Sequence, residues 1–392
     1  MRAALAALLA AAAPLLARAE VDPLASELIP VRDVAGPLRP DVVATLWDAV
    51  PPTRVPLAPQ RTFQLPDRRA NAALARPGPA AVLVRAATDG TDLALLLEWQ
   101  GGKDDGAAAG ETDRYADAVA VQVPLRFGPG VRLPYVGMGD EAQPVAIDLL
   151  RAEAGGTSSR EAVAAGFGSL TRASLGGVRG ELRRDPARGT LRASLVRPLA
   201  AGPVDLRAGL VPVAFAVWEG DRAERGGNKS LSGWKVLRLG RWPADAVYAA
   251  ELGWGRRPGE LGDVARGKQL VLGMCAGCHV VGDRKVARPG IAPDLTGVGV
   301  IATPAYLRES IVKPSAVIVP SPNPARHQDR AAAPDARGTW PPAEAFRWSR
   351  VDAAGRRISK MPPFALPEAD VGAMVAYLMT LGAEPAGAGS SR

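Results

Sequence analysis

The first two thirds of the chain alternate apolar and polar positions over short runs that end at proline, glycine or aspartate. A turn sequence, Asp89-Gly90-Thr91-Asp92, separates the runs AAVLVRAAT and LALLLEW and predicts a hairpin. Seven or more such runs predict an all-β sandwich over residues 20–255. One segment, EAVAAGFGSLTRA at 161–173, also fits a short helix. The other predicted strands are DAVAVQVPLRF, PVAIDLL, VRGELRR, TLRASLVRPL, LVPVAFAVWE and WKVLRL.

The pattern changes to helical spacing after GWGRRPGELGD at 253–263, which we interpret as a linker. Apolar residues recur three and four apart in DVARGKQLVLGMCAGCHVV, PAYLRESIV and EADVGAMVAYLMTLG. This spacing predicts a small all-α domain over residues 256–384. A proline-rich loop, 320–342, precedes the last helix, and residues 385–392 are predicted to be a disordered tail.

The first nineteen residues have the pattern of a secretory signal peptide. Arg2 precedes an apolar run that ends at Leu16 and is too short to span a bilayer, and Ala17-Arg18-Ala19 offers small residues for cleavage. The alternative, a buried or anchoring helix, fits poorly with the polar, proline-containing EVDPLASE that follows. No later segment has about 18 consecutive apolar residues. We therefore expect an exported protein without a transmembrane anchor.

The positive charge is unevenly distributed. The formal net charge of +8 falls to +6 once residues 1–19 are removed, and the excess then lies in the C-terminal third. From Arg256 onward there are 18 Lys and Arg against 12 Asp and Glu, whereas residues 20–255 contain 28 of each kind. No basic patch with interleaved aromatic residues is present, so nucleic-acid binding is not expected. The asymmetry favours docking of the C-terminal domain to an acidic redox partner protein.

The pentapeptide CAGCH contains both cysteines, Cys275 and Cys278, and ends in His279. C-x-x-C-H is the attachment signature of haem c: the two thiols can bond to the vinyl groups of one porphyrin, and the imidazole can ligate its iron. A redox-active dithiol would call for a thioredoxin-like context, and a zinc site would need more ligands than the one other histidine, His327. We predict one covalent haem c, attached through Cys275 and Cys278 and ligated by His279.

Residues 262–384 resemble class I cytochromes c. In this family the loop matched by APDLTGVG supports the iron-ligating histidine through a proline carbonyl, here that of Pro293. The stretch KMPPF carries the sixth ligand in the family, which implies Met361 as the second axial ligand. The segment between the two ligands is longer than in compact members and contains His327, which stays open as an alternative ligand. The middle and closing helices of the family are matched by YLRESIVKPSAVI and LPEADVGAMVAYLMTL.

The predicted β domain contains no histidine and no cysteine, which excludes a histidine-ligated haem and argues against zinc or triad catalysis there. Two residues stand out by composition. Met138, in PYVGMGD, is the single methionine between residues 2 and 273. Lys229, in GGNKSLSGW, is one of seven lysines in a chain with 41 arginines. Taken singly, each residue is more typical of an ordinary turn than of a ligand.

Five segments follow one another within residues 40–240: LWDAVPPTRVPL, VLVRAATDGTDLALLLEW, DAVAVQVP, PYVGMGD and FAVWEGDRAERGGNKSLSGWKVLRL. In this order they resemble the haem b (γ) subunits of periplasmic molybdenum oxidoreductases of the ethylbenzene dehydrogenase type. The dimethylsulfide, selenate and chlorate enzymes have such subunits, and relatives occur with nitrate reductase and nitrite oxidoreductase. In this family a β-sandwich holds one haem b between a methionine and a lysine, and the matching positions here are Met138 and Lys229. A neutral amine has a lone pair for iron, whereas a guanidinium has none.

These resemblances imply a periplasmic dihaem electron-transfer subunit, with haem b on Met138 and Lys229 and haem c on His279 and Met361. It would relay electrons between an iron–sulfur subunit and a cytochrome or membrane carrier, while a molybdopterin catalytic subunit converts the substrate. No catalytic residue is therefore expected in this chain. The fused cytochrome c departs from the haem b family. The alternative is a monohaem c-type cytochrome fused to a haem-free β-sandwich that binds a ligand or a partner.

Overall fold

The structure, a computed structural model, describes residues 26–62, 78–101, 115–167, 169–185, 187–240, 245–284, 292–318 and 348–382. The predicted signal peptide, the predicted tail and His327 lie outside these residues, so the expectations about them stay predictions.

Residues 28–238 form a large β region, as the alternating pattern predicts. Two short 3-10 turns, Thr45–Ala49 and Gly220–Arg222, lie within it. The strands of the described residues are β1 Leu28–Asp33, β2 Thr53–Pro56, β3 Ala58–Pro59, β4 Ala81–Thr88, β5 Asp92–Gln100, β6 Ala118–Pro124, β7 Val145–Glu153, β8 Gly156–Ala164, β9 Thr171–Arg172, β10 Arg179–Asp185, β11 Thr190–Pro198, β12 Ala200–Ala201, β13 Val204–Asp205, β14 Leu210–Trp218, β15 Ser230–Leu231 and β16 Lys235–Arg238.

One continuous sheet contains most of these strands, in the order β10-β11-β5-β4-β1-β16-β14-β6-β7-β8-β9. Strand β1 pairs in parallel with both β4 and β16 and so joins two halves whose other pairings along this order are antiparallel. The predicted hairpin is confirmed as β4–β5. Its turn is held by the Asp89 carboxylate, which accepts hydrogen bonds from the amides of Thr91 (2.8 Å) and Asp92 (2.7 Å).

The two halves of the sheet face each other across one apolar core. Alternate residues of β4 and β14 point into it, because successive side chains of a strand lie on opposite faces. These residues are almost fully buried: Val82, Val84 and Ala86 from β4, and Val211, Val213 and Phe215 from β14. This two-layer arrangement is the one that the sandwich prediction describes.

A buried ion pair lies inside this β region. Arg197 on β11 donates to the Asp148 carboxylate on β7 over 2.7 Å, and the two side chains are 2% and 1% exposed. Burial raises the pKa of Asp148 to about 6 against the opposing effect of the guanidinium, so the carboxylate is still ionised at neutral pH. The pair therefore links the two layers. Loss of either residue would leave the charge of the other buried and unpaired, which is strongly destabilising.

The helical interpretation of residues 161–173 is wrong, because residues 161–164 lie in β8 and residues 171–172 form β9. Strand β8 pairs with β7 along its whole length, from Gly156 opposite Glu153 to Ala164 opposite Val145. The Glu161 carboxylate then accepts hydrogen bonds from the backbone of Leu175 and Gly177. A long ladder and this anchored turn outweigh the weak local helix preference.

The C-terminal part is a helical region. The three predicted helices are confirmed over Val264–Met274, Pro304–Val312 and Glu368–Leu378, while a short helix, Pro258–Leu261, lies within the segment that we interpret as a linker. A short hairpin of the strands Ser349–Val351 and Arg357–Ser359 departs from the all-α expectation. Its turn is organised by Asp352, whose carboxylate accepts from the amides of Ala354 and Arg356. The elements are α1 Asp245–Leu252, α2 Pro258–Leu261, α3 Val264–Met274, α4 Val298–Ile301, α5 Pro304–Val312, β17 Ser349–Val351, β18 Arg357–Ser359 and α6 Glu368–Leu378.

Helices α3 and α6 approach each other very closely. A Cβ at Gly267 would lie 1.8 Å from the carbonyl oxygen of Ala373, so only glycine fits at this crossing. Asp263 caps the N-terminus of α3, because its carboxylate accepts hydrogen bonds from the amides of Ala265 and Arg266. Among the described residues, no helix is long and apolar enough to cross a membrane.

The β region and the helical region pack directly on each other. Ala58 and Leu231 from the β region form one apolar cluster with Val300 and Ile301, the last two residues of α4. A Cβ at Gly233 would lie 2.6 Å from the carbonyl oxygen of Val300, so the two backbones meet at a position where a side chain would intrude. Residues of both regions therefore line one cavity.

Candidate functional site

The CAGCH motif continues from the end of α3 as a tight turn. The amides of Cys278 and His279 both donate to the carbonyl oxygen of Cys275, over 3.0 and 2.9 Å. Cys275 is buried and Cys278 is exposed. Burial, reinforced by the neighbouring Cys278, raises the pKa of Cys275 to about 11. The thiol is therefore protonated at neutral pH, which does not favour a thiolate metal site or a redox-active pair.

The His279 ring is oriented by one backbone carbonyl. Its Nδ1 lies 2.7 Å from the Pro293 oxygen, and a carbonyl can only accept, so Nδ1 carries the proton. This tautomer leaves the Nε2 lone pair available for a metal. Burial lowers the pKa of His279, opposed by the Pro293 bond and by Asp294, and a lowered pKa favours the neutral ring that ligation requires.

A cavity of about 700 Å³ brings the predicted haem c residues together. Its lining includes Cys275, Cys278, His279 and Met361, and is otherwise mostly apolar. The Nε1 of Trp348, which also lines the cavity, is buried and has no hydrogen-bond partner in the part of the chain that the structure describes. The volume suits a cofactor, and the unsatisfied donor suits a ligand that carries carboxylates. These residues therefore fit a haem.

Part of the cavity wall comes from the β region, which the sequence did not reveal. The segment 130–136 and Trp234 line the cavity together with the helical residues. Trp234 is 3% exposed, and its Nε1 donates to the Pro134 carbonyl over 2.9 Å. The segment 130–136 is more than a hundred positions away in sequence from the helical residues of the wall, and no local pattern indicates such a contact.

Met138 lies in the loop between β6 and β7 in an unusual conformation. Its φ of 77° is in the left-handed region, which a long unbranched side chain rarely adopts. The loop holds it there: its amide donates to the Val136 carbonyl over 3.0 Å, and its own carbonyl accepts from Gly166 over 2.8 Å. Strained residues of this kind concentrate at functional sites, so the conformation favours a specific role for Met138.

Lys229 lies in the loop between β14 and β15 and is 9% exposed. Its Nζ lies 4.8 Å from the centroid of the Trp218 ring, and no carboxylate of the described residues pairs with it. Burial lowers the pKa of Lys229 to about 8. The side-chain oxygen and nitrogen of the neighbouring Asn228 are also buried without a partner among the described residues. A buried amine that is unpaired and easily deprotonated is suited to metal ligation.

The two loops meet the same face of the sheet. This alanine face, defined by Ala118, Ala120, Ala214 and Ala216, is the side of β6 and β14 opposite the main core, where Ala216 pairs with Ala120. The loop of Met138 contacts one end, through a 2.9 Å bond from the Gln122 amide to the Val136 carbonyl. Trp218, under the Lys229 amine, marks the other end, opposite Ala118. Ala120 and Ala214 of this face are 6% and 3% exposed and pack with Trp234 and Trp254 in one apolar cluster, so apolar side chains cover the face between the two loops.

The haem c cavity and this face are separate places, because neither Met138 nor Lys229 belongs to the cavity lining. The structure thus brings Cys275, Cys278, His279 and Met361 to one cavity, whereas Met138 and Lys229 lie in two different loops of the β region and their pairing stays a prediction. His327 lies outside the described residues.

Two comparisons show which known proteins the chain is similar to. A family model described as Cytochrome c matches residues 264–382, so the helical region is a cytochrome c domain. A protein of Haloferax mediterranei, ORF7, named as the proposed heme subunit of a respiratory nitrate reductase, is 30% identical over 227 residues, which cover 57% of this chain and 77% of the relative. The chain belongs to the family of that haem subunit, and the two findings together support a haem electron-transfer role.

Solved structures resemble the chain only weakly. A proposed carbohydrate-binding protein of Bacteroides uniformis matches with 12% identity and a TM-score of 0.30, over 55% of this chain and 93% of the other. A family 9 carbohydrate-binding module of Caldicellulosiruptor kristjanssonii in complex with glucose matches with 10% identity and a TM-score of 0.28, over 55% and 97%. At these scores neither match bears on function.

Proposed function

We propose that this chain is a periplasmic dihaem electron-transfer subunit of a molybdenum-containing oxidoreductase complex. The observation that carries the proposal is the relation to the haem subunit. The alignment of 227 residues is longer than the whole helical region, so it includes part of the β region. The similarity to a haem subunit therefore extends into the β region. That region contains the buried amine of Lys229 and the strained Met138, and these observations together support a second haem there.

In the cytochrome c domain, Cys275 and Cys278 would attach the porphyrin through thioether bonds, and His279 and Met361 would ligate the iron. Haem supplies an iron that carries one electron at a time. The Pro293 carbonyl fixes the His279 ring through the 2.7 Å bond and so fixes the direction of the ligand lone pair. The thioether of Met361 favours the ferrous state and a high potential.

In the β region, Met138 and Lys229 would hold a haem b. Lys229 must lose its proton to ligate iron, and burial has already made that loss easier. A second thioether, from Met138, again favours ferrous iron. Both haems would then have high potentials, which suits electron transfer between them and a soluble carrier.

We assign the reaction chemistry to other subunits. The proposed partners are a molybdopterin catalytic subunit and an iron–sulfur subunit, with a cytochrome or a membrane carrier at the far end of the relay. The lysines Lys313 and Lys360 are exposed; Lys360 precedes Met361 and lines the haem c cavity, and Lys313 precedes Pro314 of the same lining. Neither has an ion-pair partner among the described residues. They form a basic rim that suits an acidic redox partner.

Purification of the tagged chain from its native host at low ionic strength tests the assignment to a complex. We expect molybdenum in the purified sample and more iron than two haems supply, both of which should fall in a high-salt wash if charged contacts hold the assembly. An untagged strain is the control for adventitious metal. Recovery of a haem protein without molybdenum, even after mild cross-linking, would contradict the proposal.

A further inference from the structure

One wall of the haem c cavity is formed by the β region. Tyr135 of the β region lines the cavity, is 6% exposed, and contacts the cytochrome c domain through Tyr306, whose ring centroid lies 5.7 Å away. A hydrogen bond of 3.0 Å joins the Tyr135 hydroxyl to Thr62 Oγ1. Burial raises the pKa of Tyr135 to about 12, so the phenol keeps its proton at neutral pH. The ring is thus a fixed, neutral contact between the two regions.

The same turn carries Met138. The amide of Gly139 donates to the Tyr135 carbonyl over 2.8 Å and closes the backbone between the two residues. Three residues span at most about 10 Å even when extended, so the Tyr135 and Met138 backbones are closer than that. Both side chains also belong to one apolar cluster, which includes Phe167 and Tyr306.

An ion pair holds this turn rigid. The Asp140 carboxylate accepts two hydrogen bonds from the Arg132 guanidinium, of 2.8 and 3.0 Å, and a third of 3.1 Å from the Tyr135 amide. Asp140 is 4% exposed, and such bidentate pairs fix geometry as well as adding energy. The cavity wall and the Met138 turn therefore form one braced unit.

We propose that the turn from Tyr135 to Met138 is the contact through which haem b and haem c exchange electrons. Haem b, held by Met138 and Lys229, would supply one electron to haem c through this turn, with no bond formed or broken and no proton moved. The direction reverses if the partner enzyme is a reductase. The inference rests on the proposed haem b site. Electrons from haem b would then reach the haem c cavity on the side of Tyr135. The basic rim near Met361 would remain for the external carrier.

Flash photoreduction of the dihaem protein tests the inference. A photogenerated flavin semiquinone delivers less than one electron per molecule, and the separate α bands of the two haems report how the electron then redistributes. We expect Tyr135→Leu to lose the rapid interhaem phase with both haem potentials unchanged. The matched control, Phe167→Leu, removes a ring 5.8 Å from Tyr135 that does not line the haem c cavity, and should keep the phase.

An unchanged rapid phase in Tyr135→Leu would overturn the inference. If the wild-type protein contains haem c but no extractable haem b, the proposed function itself is wrong. That outcome is therefore distinguishable from failure of the inference about Tyr135. If Tyr135→Leu fails to retain both haems, electron spin relaxation of ferric haem c provides a second measurement. Relaxation should be faster in the wild type than in Lys229→Arg protein that lacks haem b, and equal rates would show that the haems are too far apart for this contact.

Discussion

Replacement of Lys229 by arginine should remove haem b and leave haem c in place. Supplying a neutral amine at pH 7 costs about 5 kcal/mol for a lysine with an ordinary pKa, at about 1.4 kcal/mol per pKa unit. With the pKa of Lys229 lowered to about 8, the cost falls to about 1.4 kcal/mol, which an iron–nitrogen bond can offset. A guanidinium would cost more than about 7 kcal/mol and has no lone pair to offer.

The ratio of haem b to haem c in pyridine haemochrome spectra measures the effect. The matched control is Lys235→Arg, since Lys235 is equally buried but is ion-paired with Glu27. We expect Lys235→Arg to keep both haems and Lys229→Arg to keep haem c alone. A Lys229→Arg protein with an unaltered haem b spectrum would refute the assignment of the lysine.

Three further predictions concern the remaining residues. Met361→Ala should abolish the sulfur-to-iron charge-transfer band of oxidised haem c; if the wild type lacks this band and His327→Ala changes the haem c spectrum, the sixth-ligand assignment is wrong. Gly267→Ala should lower the thermal stability of the cytochrome c domain by about 1–3 kcal/mol or more, because its Cβ would overlap the Ala373 carbonyl. Gly273→Ala on the same helix, where nothing lies within 4 Å, is the control and should be neutral or slightly stabilising; equal losses in both variants would contradict the packing argument. Asp148→Leu should destabilise the protein to denaturant by about 3–5 kcal/mol, since it leaves a buried arginine unpaired; replacing that arginine by methionine as well should recover much of the loss, and a persistent loss would count against the ion-pair explanation.

Local patterns predicted the parts of the fold whose partners are near in sequence. The β4–β5 hairpin is specified by Asp89 and the turn it caps, and helix α3 by its cap at Asp263. The segment 161–173 was misread because its conformation depends on β7, which supplies the partner ladder. Likewise, nothing in the sequence of β1 shows that it pairs in parallel with two strands far along the chain.

The candidate sites divide in the same way. CAGCH is a complete local signal, because its spacing alone defines the attachment chemistry. Met138 was singled out by composition, and its left-handed φ of 77° is visible only in the structure. The role of Tyr135 could not be predicted, since its importance comes from a contact with Tyr306, more than 170 positions away. Long-range packing, which no local pattern encodes, places the β region against the haem c cavity.

The central claim is that one chain carries two haems, and acid–acetone extraction of the purified holoprotein tests it most directly. Haem b is extracted by this treatment, whereas haem c stays bound through Cys275 and Cys278. We predict one extractable haem for each covalent haem. Covalent haem alone, with no extractable haem in protein purified under haem-replete conditions, would contradict the claim and would favour a monohaem cytochrome fused to a haem-free β domain.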